Sequence, residues 1–194
     1  MRTIPVVDVG PLFEAGADRT AVAEELGRVA TAHGFVSIVN HGLDPAVRAD
    51  AFEHAARFFA LPDDVKLRSR MDEEGLYANR GYDSVGTRRL DDAAPPDLVE
   101  SFMLGVELAP DHPLVRAGTP MHGPNRWPAL AGFREAIGAY HTAARHIAEV
   151  MLEGFARSLG LDDAYFRPYH REPVVGLRLL HCPPRPVGTP AAQL

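Results

Sequence analysis

Lysine is almost missing from this chain of 194 residues: of its 20 basic residues, every one but Lys66 is arginine. Cysteine is as scarce. A single Cys182 excludes an internal disulfide framework and any cysteine-rich zinc site. Positive charge is not in excess, since a net charge of −6 leaves no electrostatic footprint for nucleic acid or an anionic membrane. No apolar run approaches the roughly 18 residues of a membrane span. Met1-Arg2-Thr3 leads straight into Ile4-Pro5-Val6-Val7-Asp8, which is not a signal-peptide pattern. A soluble cytoplasmic protein is expected. Also absent are Gly-x-Gly-x-x-Gly, a Walker loop, His-Glu-x-x-His, Gly-x-Ser-x-Gly and Cys-x-x-Cys.

What is present is ordinary for a globular domain, or a large piece of one: 46% hydrophobic and 24% charged residues. Ile4 to Asp8 reads as a short strand. Asp18 or Thr20 opens a helix to about Ala32, with Val22, Leu26 and Val29 as its apolar stripe and Gly27 as a local cost of about 1 kcal/mol. Gly34 to Val39 is a second strand. Asp44 and Pro45 cap a helix to about Phe59, and Leu61 to Lys66 begins another turn. Residues 69–96 are polar and weakly periodic, and are expected to form one long irregular loop.

Val99 to Gly105 reads as a strand, and 110–128 as a proline-rich connector holding Trp127. A long helix follows to about Leu159. Phe133, Ile137, Tyr140, Ala144, Ile147, Met151 and Phe155 mark its buried face. Asp162 to Phe166 is a helical turn and Val174 to Cys182 the last strand. None of the four strands has a hairpin partner, so each needs non-local pairing. Unpaired edges at 99–105 and 174–182 would favour association.

Several phrases in a fixed order carry a resemblance. They are Ile4-Pro5-Val6-Val7-Asp8, Gly34-Phe35 leading to Asn40-His41-Gly42, Phe58-Phe59-Ala60-Leu61-Pro62 with Lys66, and Arg80-Gly81-Tyr82. Glu100-Ser101-Phe102, Asn125-Arg126-Trp127-Pro128, Leu159-Gly160-Leu161 and Leu177-Arg178 to Pro183-Pro184 continue them. Together they resemble the N-terminal part of the isopenicillin N synthase-like family of Fe(II)/2-oxoglutarate-dependent dioxygenases.

The resemblance implies an α+β fold: a helical N-terminal region, residues 1–170, packed on an incomplete double-stranded β-helix (jelly-roll) sheet. Residues 171–194 would be the first strand and turn of that jelly roll. It also implies Fe(II) and 2-oxoglutarate as the full-length family's cofactors, a small-molecule substrate, and a two-His-one-carboxylate triad written His-x-Asp plus a distant His. No His-x-Asp occurs here. The chain is therefore expected to be truncated before the metal motif, with no catalytic residue or metal ligand, and to bind neither cofactor alone.

Within that resemblance, Arg178 and the residue before Pro183 face the iron cavity. On a strand of period two, Arg178, Leu180 and Cys182 share a face, so Arg178 and Cys182 are the candidate cofactor-binding pair. The bland alternative for Arg178 is an ion pair with a helix carboxylate. Cys182 stands where the family more often has Tyr, which removes a hydroxyl. Glu100 and Tyr82 are the candidate substrate-lining residues, against an edge-strand charge and a packed aromatic.

Among the histidines, His170-Arg171-Glu172 is the nearest mimic of the metal motif, but a solvated loop is the simpler reading. His141 and His146, five apart, do not align on a helix. His41 reads as a structural turn residue. Two functions remain: the N-terminal portion of an oxygenase, or a non-catalytic binding or regulatory fragment that needs a partner chain.

Overall fold

The structure, a computed structural model, describes residues 3–71, 79–87 and 97–184. The fold is α+β. It divides into two units, Met1–Asp50 with Gly138–Pro173, and Ala51–Ile137 with Val174–Leu194. Among the described residues no helix is long and apolar enough to cross a membrane.

In the first unit, β1 (Val6–Asp8) pairs in parallel with β2 (Ser37–Val39), and α1 (Gly10–Phe13) and α2 (Thr20–His33) lie between them in sequence. The Asp18 carboxylate accepts the Thr20 N–H at 2.9 Å, satisfying one of the donors that a helix start leaves open. That bond also holds the Asp18 carboxyl below its ordinary range. Gly34 ends α2 in the left-handed region, at φ 70°, and its N–H returns to the Ala30 carbonyl. This cap delays the second strand, which begins at Ser37 rather than at Gly34 as expected.

Val9, Leu26 and Val29 are fully buried here, with Val7 and Leu12 beside them and Ile38, Met151 and Phe155 packed around. The cost of Gly27 now has its reason. A Cβ on Gly27 would stand 3.0 Å from Ser158 Cβ, and one on Gly154 would stand 2.9 Å from Leu12 Cδ1. Ser158 and Gly154 belong to α6 (Phe133–Ser158), so two glycines let α1, α2 and α6 approach closely.

In the second unit, β3 (Gly81–Asp83), β4 (Glu100–Leu104) and β5 (Leu177–His181) form an antiparallel sheet in that order. β3 lies inside the stretch expected to be irregular loop, parts of which fall outside the described residues. Its three residues owe their strand to pairing with β4, Tyr82 against Phe102, and not to any local pattern. β4 is consequently central, with both edges occupied, which corrects the expectation of an open edge at 99–105. Periodicity did not show two of the short helices, α1 and Pro113–Arg116, the latter being α5.

Helix α3 (Pro45–Phe59) starts as expected, the Asp44 carboxylate accepting the Ala46 N–H at 2.8 Å. Its last turn delivers Phe58 to an aromatic core. Phe58 lies edge-on to Phe102 at 5.1 Å and to Tyr82 at 5.8 Å, and tilted on Phe133 at 5.1 Å. Phe58, Phe102, Phe133 and Ile137 are fully buried, while Trp127 is half-buried at the margin of this core. α4 (Asp63–Lys66) follows α3 and carries the single lysine into this core.

Candidate functional site

Strand alternation sorts the sheet into two faces. Glu100, Phe102 and Leu104 of β4 pair with His181, Leu179 and Leu177 of β5, and these residues share the face on which Phe58 packs. Ser101 and Met103 pair with Leu180 and Arg178 on the other face.

On the inner face Glu100 is 3% exposed, and both of its carboxylate oxygens are engaged. Oε2 accepts from Lys66 Nζ at 2.7 Å and from the Tyr82 hydroxyl at 2.5 Å. Oε1 is bonded to His181 Nδ1 at 2.7 Å. Lys66 also reaches Asp63 at 3.0 Å and stands over the Tyr82 ring, 5.2 Å from its centroid. The His181 imidazole is stacked on Phe59 at 5.2 Å.

Burial favours the neutral form of each group, yet the contacts decide the outcome for two of them. Burial pushes the Glu100 carboxyl up, but the bonds from Lys66, Tyr82 and His181 outweigh it and hold the group below the usual carboxylate range. Burial likewise pulls the Lys66 ammonium down, and Glu100 and Asp63 outweigh it, leaving the group above its ordinary value. The Tyr82 hydroxyl is pushed up to about 12, by burial first and by the neighbouring Glu100 second. The network is thus an ion pair, Lys66 with Glu100, clasped by a neutral phenol and an imidazole.

A second cluster lies in the same unit. Arg80, 4% exposed, donates from Nη1 to Asn125 Oδ1 at 2.5 Å and from Nη2 to the Met121 carbonyl at 2.7 Å. Asn125 in turn accepts from the Gly105 N–H at 2.9 Å and donates to Glu107, which also accepts from Trp127 Nε1 at 2.7 Å. Burial lowers the Arg80 pKa, only partly offset by Glu107.

The candidates from sequence separate cleanly. Glu100 and Tyr82 come together in the buried network, Glu100 on the central strand and not on an edge. Arg178, Leu180 and Cys182 all stand exposed. Arg178 makes no ion pair among the described residues, so the helix carboxylate considered for it is not engaged. His170 and Arg171 line a cavity of about 450 Å³ in the first unit, where Arg145 and Arg167 are already paired with Glu149 and Glu153. His146 packs edge-on against Phe13, and His41 Nδ1 accepts the Leu43 N–H at 3.2 Å. Lys66 and His181 have no role that the sequence alone predicts. Their only signals were the uniqueness of the lysine and the phrases that contain them.

Comparison with known proteins decides the family. A family model described as the N-terminal region of non-haem dioxygenases in morphine synthesis matches residues 4–130. The chain belongs to the non-haem dioxygenase family.

Its relatives extend the match. The 2-oxoglutarate-dependent dioxygenase citB of Monascus ruber is 34% identical over 191 residues, covering 94% of this chain and 56% of citB. The fold of this dioxygenase chain matches that of a 2OG-Fe(II) oxygenase family protein of Caulobacter crescentus with a TM-score of 0.81 at 29% identity, over 96% of this chain and 58% of the other. A full-length Neurospora crassa protein, solved in complex with alpha-KG, matches with a TM-score of 0.77 at 28% identity, over 93% and 54%. The chain spans about half the length of the curated relatives it matches.

All nine histidines of this family member fall at described positions. Even so, among the described residues no group of three His, Cys, Asp or Glu side chains could hold a metal ion. The described residues do not fit the family's iron.

Proposed function

We propose that the chain is the N-terminal portion of an Fe(II)- and 2-oxoglutarate-dependent oxygenase acting on a small organic substrate, by hydroxylation, desaturation, ring closure or ethylene formation. Residues 1–170 correspond in this reading to the family's N-terminal region, and 171–194 to the start of its jelly-roll domain. It works in the cytoplasm, where Cys182 stays reduced. The observation that carries this reading is the alignment to citB, nearly complete on this chain and only 56% complete on the relative. The iron ligands belong to the portion that the match leaves uncovered, and the chain alone is inert.

In this reading Arg178 and Cys182 face the co-substrate. Arg178 is exposed and without a carboxylate among the described residues, and its planar fork suits an anionic carboxylate. Tyr82 and Glu100 back the substrate side from beneath the sheet.

The test is release of succinate from 2-oxoglutarate with Fe(II) and O2. It compares the 194-residue chain with the same chain extended by the portion of the Caulobacter crescentus protein beyond the match. Succinate from the extended chain alone is expected. Turnover by the short chain would refute its inertness, and a folded extended chain without turnover would refute the oxygenase reading.

One observation favours a second reading, a binding fragment completed by a partner chain. β5 is paired on one side only among the described residues, and Val174 and Leu180 are 60% and 59% exposed. Concentration-dependent association in light scattering would support it, and a monomer at all concentrations would not.

A further inference from the structure

The bond between Glu100 and His181 has a chemical consequence for the imidazole. Glu100 Oε1 lies 2.7 Å from His181 Nδ1, and an ionised carboxylate only accepts. Nδ1 must therefore carry a hydrogen, so in the neutral ring the lone pair resides on Nε2. That tautomer is fixed because Glu100 cannot turn away. Its other oxygen is held by Lys66 at 2.7 Å and by Tyr82 at 2.5 Å, and the imidazole rests on Phe59 with an interplanar angle of 23°. The burial is unequal across the pair: the Glu100 side chain is 4% exposed and that of His181 is 40% exposed. Among the described residues Nε2 has no hydrogen-bond partner, and β5 is an outer strand of its sheet.

We propose that Glu100 and His181 form a carboxylate–imidazole pair that offers the Nε2 lone pair as the acceptor for a hydroxyl or amine donor on a small-molecule ligand. Glu100 is the positioning residue and His181 the contact. The pair resembles the arrangement by which proteins orient a histidine through its second nitrogen. It also gives Glu100 a route to a ligand that its own burial denies, and it stands whether or not the oxygenase reading holds.

The experiment is long-range 1H–15N correlation NMR on the 15N-labelled full chain, at a pH where the imidazoles are neutral, with His181→Gln identifying the resonances. The expected spectrum shows His181 with Nδ1 protonated and Nε2 bare. Glu100→Gln inverts it. Lys66 and Tyr82 both donate, so they hold the amide oxygen at the Oε2 position and leave the amide NH2 to donate to Nδ1, which moves the ring hydrogen to Nε2.

Diethyl pyrocarbonate, which attacks a bare imidazole nitrogen, is then expected to modify His181 in the parent chain at least several-fold faster than in the variant. Tyr82→Phe, which removes one donor but keeps the carboxylate, retains the parent tautomer and serves if Glu100→Gln fails to fold. A parent His181 protonated at Nε2, or one that diethyl pyrocarbonate leaves untouched, overturns the proposal.

Discussion

The guanidinium of Arg80 lies where a side chain on Gly105 would stand: a Cβ there would be 2.6 Å from Nη1 and 2.8 Å from Cζ. Gly105 N–H and carbonyl are both bound to Asn125, which also accepts from Arg80. The glycine, the arginine and the asparagine are therefore one unit, although they come from three distant phrases of the sequence.

Gly105→Ala is expected to destabilise the chain by about 1–3 kcal/mol, the range for overpacking a filled site. Urea unfolding measures it. In an Arg80→Ala background the same substitution should cost less, because the clashing group is gone. Equal costs in both backgrounds would dissociate the two residues.

Lys66→Met leaves Glu100 buried without its cation, and breaking such a pair from one side costs about 3–5 kcal/mol. The double variant Lys66→Met, Glu100→Gln should be more stable than Lys66→Met alone, since no bare charge remains in the core. Thermal or urea melts of the four proteins test this as a cycle. A double variant that loses the sum of the single costs would show that the ion pair is not the unit.

The pH dependence has opposite signs at its two ends. Glu100 is held below its ordinary 4.5 in the fold, so its contribution is complete above that value and is lost as pH falls through the folded pKa. Tyr82 is raised from 10.0 to about 12, so its contribution is complete below 10 and is lost as pH rises toward 12. Lys66, raised above its ordinary 10.5, acts with the same sign as Tyr82. Stability measured from about pH 3 to about pH 11 should therefore form a plateau with both shoulders, and Tyr82→Phe should flatten the alkaline one. An unchanged alkaline shoulder in that variant would count against the network.

Arg178 is exposed, so Arg178→Gln should leave stability within about 0.5 kcal/mol. In the extended chain of the succinate assay it should raise the KM for 2-oxoglutarate roughly ten- to a hundredfold, the equivalent of a charge-assisted bond of about 1.5–3 kcal/mol. Steady-state succinate release reads the change. An unaltered KM would remove Arg178 from the co-substrate site.

Much of this protein is written locally. Asp18 and Asp44 mark helix starts by their own side chains, Gly34 marks a stop by its φ, and the spacing from Phe133 to Ile137 gives the buried face of α6. These signals act over a few residues, so periodicity and capping suffice to read them. The family was legible for a related reason: its short phrases survive in order along the chain. The tertiary structure alone decided the rest. β3 is a strand only because Tyr82 lies opposite Phe102, and His181 gains its partner from a carboxylate 81 residues away. In sequence Glu100 reads as a substrate-lining residue or an edge-strand charge and Lys66 has no role, because nothing local says that each will meet the other in the core. A buried charge needs a partner supplied by another element, and only the assembled fold names it.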